Sequence, residues 1–153
     1  MAMIYHQLQI QAAAAKVYEA LTTQDGISKW WTADCVVKPE VGFTNEFRIG
    51  TQAHYRMRVI HLAPGHSVEW KCLNQHDDWS GTQISFHLTE KAGITCLDFK
   101  HQGFPTESEA FGASSYQWAL QLRTLKEYCE SSTQQPDKPK EIRLAETVQT
   151  GRL

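Results

Sequence analysis

His101 is the residue of this sequence best suited to acid–base chemistry. It shares its parity with Leu97 and Phe99 along a run of alternating apolar residues, and a turn follows at residues 103–105. A histidine there becomes a catalyst only beside an orienting partner and a substrate proton. Asp34 could lie nearby, but the sequence pairs no group with His101. We therefore expect His101 to hydrogen-bond the 103–105 turn, and to be catalytic only if the protein is an enzyme.

The segment His-Asp-Asp-Trp at residues 76–79 places an imidazole beside two carboxylates. Consecutive side chains of a loop diverge, whereas zinc ligands are normally spaced a few residues apart and joined by a distant pair. We therefore predict a polar hairpin loop with Trp79 folded back, and no metal site.

The four cysteines are also expected to carry no chemistry. Cys35, Cys72, Cys96 and Cys129 lie far apart, without a CxxC pair. Three of them fall within apolar strand or helix patterns, which is where unreactive thiols are commonly buried. They are predicted to be reduced and packed.

Composition excludes several classes of partner. The net charge is −2, with 15 basic and 17 acidic residues dispersed along the chain, so nothing marks a nucleic-acid or anionic-membrane surface. The first ten residues lack the basic start and apolar run of a signal peptide, and no apolar stretch approaches the ~20 residues of a membrane span. We expect a soluble, cytoplasmic protein without a cofactor.

The elements that must position these residues follow from periodicity. Alternation predicts a strand over residues 3–10, and Ala-rich helical spacing predicts a helix over residues 12–22. A second short helix runs from about Asp25 to the tryptophans. Period-two segments broken by turns predict five or six antiparallel strands between residues 36 and 101. Together these form one domain over residues 1–131.

One long helix is predicted at the C-terminal end of this domain. Its apolar stripe descends from Phe111 through Trp118 to Cys129, and Thr106 or Ser108 can cap its start. Residues 132–153 are polar, include two prolines and have no periodic apolar face, so we expect a mobile tail. The fold class is therefore α+β, with the long helix covering the apolar face of a curved sheet.

Three segments resemble a known family: "KVYEALTTQDGISKWWTADC", "GTQISFHL" and "LDFKHQGFPTESEAFGASSYQWALQLRTLKEYCE". They are similar to the START-like, helix-grip superfamily, and within it to the group named after the activator of the heat-shock-protein ninety-kilodalton ATPase. The resemblance covers residues 3 to about 131. It implies a curved sheet of about seven strands that grips the C-terminal helix, with a cavity between them that binds apolar molecules in relatives.

The resemblance does not choose one function, because the superfamily includes carriers, cyclases, dehydratases and co-chaperone domains. We expect a non-catalytic carrier or sensor of a small apolar or amphipathic molecule. The alternatives are a cyclase- or dehydratase-type enzyme that uses His101, and a domain that regulates a chaperone. The candidate ligand contacts are large inward side chains and a polar anchor, namely Trp31, Phe47, Tyr55, Met57, Trp70, Phe86, Phe99, His101, Phe104 and Trp118.

The adjacent tryptophans are expected to have unequal roles. Helical geometry separates neighbouring side chains by about 100°, so one packing direction cannot bury both. If Trp30 points toward the first helix, with Val17 and Leu21, it anchors the second helix. Trp31 then lies at the rim of the cavity.

Overall fold

A computed structural model describes residues 1–132 of the chain. The predicted tail, residues 132–153, lies outside the described residues except for Ser132, which ends the last helix. The elements in chain order are β1 (Ala2–Ile10), α1 (Ala14–Thr22), α2 (Gln24–Trp30), β2 (Cys35–Val36), β3 (Thr44–Ile49), β4 (Ala53–Ala63), β5 (Ser67–Cys72), β6 (Gln83–Lys91), β7 (Ile94–Phe104) and α3 (Glu109–Ser132).

The predicted α+β, helix-grip architecture is confirmed. Within residues 1–132 the sheet has seven antiparallel strands in the order β1-β7-β6-β5-β4-β3-β2. Neighbours in the sheet are neighbours in the chain except for β1, which pairs along its whole length with β7. Each strand from β2 to β7 pairs with the next one in the chain, and β1 pairs with β7. Strands β1 and β2 therefore lie at the two edges of the sheet.

One face of the sheet carries the core, and the alternation of the sequence determines which residues it contains. Phe47, Met57 and Phe99 are fully buried, whereas Arg56 and Arg58 of β4 are exposed. The register shifts between Val59 and His61, where an irregularity interrupts the β4–β5 ladder. Such irregularities increase the local twist of a strand and help a sheet to curve.

Helix α3 covers this face. Trp118, Leu122 and Leu125 recur at helical spacing and are buried against the sheet. The Oγ of Ser108 accepts a hydrogen bond from the backbone N–H of Phe111 at 3.2 Å, so Ser108 is the residue that caps the helix start.

The two short helices are joined by a close contact at Gly26. Thr23 caps α2 by accepting a hydrogen bond from the Gly26 N–H at 2.9 Å. A Cβ at Gly26 would lie 2.6 Å from the Ala20 Cα, so only glycine fits where α2 crosses α1. Trp30 fixes the same crossing, because its Nε1 donates to the carbonyl of Ala20 at 2.8 Å.

Candidate ligand cavity

A cavity of about 580 Å³, partly open to solvent, lies between the first half of α3, the β3–β4 hairpin and the β5–β6 loop. Three of the six α3 residues that line it, Ala110, Ala113 and Ser114, are small. These small side chains fill little of the space between a straight helix and a curved sheet, which explains why the cavity lies here. The remaining lining residues are Trp31, Ile49, Gln52, Ala53, His54, Tyr55, Asp77, Asp78, Trp79, Gln117, Trp118 and Gln121.

Four aromatic side chains on this lining contact one another. Trp79 stacks on Tyr55 with ring centroids 4.0 Å apart and lies nearly parallel to Trp118 at 5.7 Å. Trp31 packs against Trp118 at 5.2 Å. The four come from four separate segments of the chain, and together they give the cavity a continuous aromatic floor.

The tandem tryptophans have the two environments expected for them. Trp30 is buried between the helices, whereas Trp31 follows the end of α2, is half-buried and lines the cavity. The ring of Trp31 also stacks on Phe47 with centroids 4.4 Å apart. Trp31 therefore connects the core to the cavity.

Trp79 was not among the sequence candidates, although it is buried and central to the floor. Its Nε1 donates to the Oγ of Ser114 at 2.9 Å, which ties the β5–β6 loop to α3. The loop is shaped by Asp77, whose carboxylate accepts from the Trp79 N–H at 3.0 Å and from the Asn74 side chain at 2.7 Å. The available signal was an indole in an otherwise polar loop.

The ten sequence candidates divide between the lining and the core. Trp31, Tyr55 and Trp118 line the cavity. The other seven, Phe47, Met57, Trp70, Phe86, Phe99, His101 and Phe104, are buried in the core and are not lining residues. Parity along a strand shows which face a side chain occupies, but it does not show which part of that face α3 covers.

His101 lies in the core beneath this floor, in a chain of hydrogen bonds. The indole Nε1 of Trp118 donates to its Nδ1 at 3.0 Å, and its Nε2 lies 2.8 Å from the Thr82 hydroxyl. Because Nδ1 accepts, the neutral ring carries its proton on Nε2 and donates it to Thr82. Thr82 in turn donates to the carbonyl of Trp79 at 2.7 Å.

This arrangement corrects the expected role of His101. We predicted a bond to the 103–105 turn, but both ring nitrogens are bonded elsewhere. Asp34 is not a partner, because it lies 3.7 Å from Arg48 and is mostly exposed. Burial lowers the pKa of His101 to about 3, so the ring is neutral near neutral pH.

Polar groups surround the mouth of the cavity. Burial raises the pKa of Tyr55, and the nearby charge of Asp77 adds to that effect. Within the described residues, the Tyr55 hydroxyl has no hydrogen-bond partner. It therefore remains available to a bound molecule, together with the amides of Gln117 and Gln121.

None of the four cysteines, all within the described residues, lines this cavity. Cys35, Cys72 and Cys129 are buried. Burial raises the pKa of all three thiols, that of Cys129 to about 12, so they stay protonated near neutral pH.

Over residues 1–132, no three His, Cys, Asp or Glu side chains are grouped as metal ligands. In the same range, no helix is long and apolar enough to cross a bilayer.

Comparisons with known proteins agree with this architecture. A protein from Colwellia psychrerythraea, described as an Aha1 dimer in solution, is 32% identical, with a TM-score of 0.81 over 88% of this chain and 100% of that chain. A protein from Mesorhizobium loti is 21% identical, with a TM-score of 0.77 over 88% of this chain and 100% of its own. A protein from Staphylococcus saprophyticus is 17% identical, with a TM-score of 0.72 over 90% of this chain and 98% of its own. At these lower identities the two show the fold alone.

A family model identifies the chain more closely. The model described as Activator of Hsp90 ATPase homolog 1-like protein matches residues 11–130, which span α1 through nearly all of α3. No curated protein matches the sequence. The match covers most of the domain, and it confirms the resemblance read from the tandem tryptophans and the final helix. The chain therefore belongs to the family of Activator of Hsp90 ATPase homolog 1-like proteins.

Proposed function

We propose that this protein binds a small amphipathic molecule in the cavity between α3 and the sheet, as a carrier or sensor and without chemical turnover. The observation that supports this most directly is the aromatic floor of Trp31, Tyr55, Trp79 and Trp118 in a cavity of about 580 Å³. Binding sites for small molecules commonly enclose about 300–1,000 Å³ and are mostly apolar with a few polar groups. A flat apolar body matches this floor best.

The polar lining favours a neutral or cationic head group. Asp77 and Asp78 are lining residues, and among the lining residues of the described chain there is no lysine or arginine. A carboxylate on the ligand would meet these two like charges without a lysine or arginine to compensate. The Tyr55 hydroxyl and the Gln117 amide can accept and donate hydrogen bonds to a neutral group.

The state of His101 supports binding over catalysis. An acid–base residue must reach a proton of the substrate. Both nitrogens of His101 are bonded to protein groups, and its ring is fully buried. Turnover of a polyketide-like substrate that is lost in a His101→Gln variant which still folds would favour the cyclase or dehydratase alternative.

A matched ligand series tests the proposal. Its members share one planar bicyclic body and carry a hydroxyl, a tertiary amine or a carboxylate. We expect the hydroxyl and amine members to raise Tm and quench tryptophan fluorescence, and the carboxylate to bind at least about tenfold more weakly, a difference of about 1.4 kcal/mol. Asp78→Asn should narrow that difference, whereas Glu40→Gln, an exposed change in another loop, should not.

A blocking variant tests the place of binding. Ala113→Phe puts a large ring on the helical wall, so it should abolish binding while the protein keeps its fold. Thr124→Phe, at an exposed position of the same helix that is not a lining residue, is the matched control. If no member of the series binds the unmodified protein, or if Ala113→Phe binds normally, the proposal is wrong.

A chaperone-regulating role is the second candidate, and the family match favours it. It would require stoichiometric association with a purified Hsp90 and a change in its ATPase rate. The outward face of the sheet bears both signs of charge, with Arg56, Arg58 and Glu69 on adjacent strands. Retention of this effect in Ala113→Phe would show that the two functions use different surfaces.

A further inference from the structure

We propose that the free edge of β1 pairs with β1 of a second copy of this chain, so that two sheets join across a two-fold axis. The two edges of the sheet differ in length. Strand β2 has two residues, whereas β1 has nine, and in the described chain β1 pairs with β7 alone. An edge of nine residues presents a row of backbone donors and acceptors that another strand can satisfy.

The composition of β1 lacks the features that normally prevent such pairing. Edge strands are usually protected by short length, charged side chains, proline or bulges. The sequence of β1, AMIYHQLQI, contains no Asp, Glu, Lys, Arg or Pro. Its one irregularity lies at its first step, between Ala2 and Met3. The edge from Met3 onward is therefore regular and uncharged.

Apolar side chains flank this edge on both sides. Met3 and Tyr5 on the outer face are 46% and 50% exposed, and Tyr116 and Leu120 of α3 are 64% and 40% exposed. Helix α3 lies beside β1, because His6 Nε2 is 3.2 Å from the carbonyl of Ser115. Tyr116 is the next residue of the helix, and Leu120 lies one turn further. A paired strand would bring a second set of these side chains against the first.

The chain itself covers one end of β1. The Nζ of Lys126 donates to the carbonyl of Gln9 at 2.8 Å, and Glu130 accepts from the backbone N–H of Gln11 at 3.0 Å. A groove of about 240 Å³ lies between His6, Gln7, Leu8 and the helix. The length available to a partner is therefore the first part of β1, from Met3 to Leu8.

A second copy is the occupant that fits this edge. Antiparallel pairing of a strand with itself is compatible with a two-fold axis, and each residue then meets an equivalent environment on the other chain. A charged strand would repel its own copy at the axis, but β1 has no charged side chain. A second copy needs no further recognition element, because it carries the same strand edge and the same flanking apolar side chains.

This surface is separate from the proposed ligand cavity. No lining residue of the cavity belongs to β1, β6 or β7 within the described chain. Pairing at β1 therefore leaves the cavity mouth open, and binding and self-association can succeed or fail independently.

Sedimentation velocity across a dilution series provides the first test. We expect the unmodified 17.4 kDa chain to form a species of twice that mass. Met3→Lys and Leu120→Lys, which add a charge to each side of the edge, should each raise the dimer dissociation constant at least about tenfold. Val41→Lys is the control, since Val41 is also an exposed apolar residue but lies between β2 and β3. A purely monomeric chain, or a dimer that neither variant weakens, would overturn the proposal.

Hydrogen exchange provides a second test that needs no variant. Pairing predicts that outward amides of β1 between Met3 and Leu8 are protected at high protein concentration and lose protection on dilution, while the amides of β4 do not change. Protection that is independent of concentration would mean that residues 133–153 of the same chain cover the edge, and this too would overturn the proposal.

Discussion

The neighbouring residues Trp30 and Trp31 have different roles because α2 ends between them. Trp30 belongs to α2 and donates to Ala20 in a buried site, whereas Trp31 leaves the helix and reaches the cavity. Trp30→Ala should therefore lower the free energy of unfolding by about 3–5 kcal/mol, as large-to-small core changes do. Trp31→Ala should lower the free energy of unfolding by less than Trp30→Ala does. It should weaken ligand binding by more than Trp30→Ala does.

Urea unfolding followed by far-ultraviolet circular dichroism measures the effect on stability, because that signal reports mainly the backbone. Ligand titration by calorimetry gives the binding constants. Equal losses of stability with unchanged binding would contradict the division of roles.

His101 links pH to stability at the scale of one side chain. Its pKa is about 3 in the folded protein and near 6.5 without burial, so the unfolded chain binds a proton at intermediate pH that the folded chain does not. The contribution of the neutral His101 ring to the free energy of unfolding is complete above pH 6.5, and it is lost as the pH falls toward 3. His101→Gln should be less stable by about 1–3 kcal/mol near neutral pH because it disrupts the hydrogen-bond chain, and the difference should narrow in acid.

Chemical unfolding at a series of pH values measures this difference. His66→Gln is the matched control, because His66 is an exposed histidine whose side chain lies outside this hydrogen-bond chain. A constant gap between His101→Gln and the parent at all pH values would contradict the mechanism.

At the scale of elements, glycine is required at one helical position and not at another. Gly26→Ala should destabilise the protein by about 1–3 kcal/mol, because the added methyl would lie 2.8 Å from the Glu19 carbonyl oxygen and force α1 and α2 apart. Gly112→Ala in α3 meets no atom within 4 Å. It should stabilise the helix by about 0.5–1 kcal/mol, since alanine loses less entropy there.

Thermal unfolding of both variants checks these predictions, with Tm expected to fall in Gly26→Ala and to rise in Gly112→Ala. A stable Gly26→Ala protein would mean that the two helices separate at little cost.

Periodicity was sufficient to predict most of the elements. The long strands and α3 repeat their apolar residues often enough to reveal both type and face, so Phe47, Phe99 and Trp118 were correctly expected to point inward. Strand β2 was missed as a separate element because two residues cannot display a period. The Thr82 partner of His101 was missed because it immediately precedes β6, the neighbouring strand of the sheet, and single-sequence spacing does not give cross-strand register.

The cavity is a property of the whole molecule, because its floor joins residues from α2's end, β4, the β5–β6 loop and α3. A ligand that contacts this floor should therefore slow hydrogen exchange in all four segments together. The far strand β1 should change little. Exchange mass spectrometry with the hydroxyl or amine ligand measures this pattern, and slowing confined to one segment would indicate a surface site instead.

The candidate site was only partly predictable for a related reason. A family resemblance and inward aromatics indicated that a cavity exists, but its position depends on where α3 and the sheet diverge. That divergence arises from small residues such as Ala113 and from a loop that returns Trp79 to the helix. Neither feature has a periodic signature, so Trp79 was left out and Phe86 was included.

The near-parallel rings of Trp79 and Trp118, 5.7 Å apart and inclined by 12°, also have an optical consequence. Indoles held in one fixed packing arrangement give near-ultraviolet circular dichroism, so the folded protein should show a near-ultraviolet band that loose packing would abolish. Entry of a molecule beside Trp31 would perturb the same band. The unlabelled protein thus contains its own spectroscopic reporter of whether the cavity is assembled and whether it is occupied.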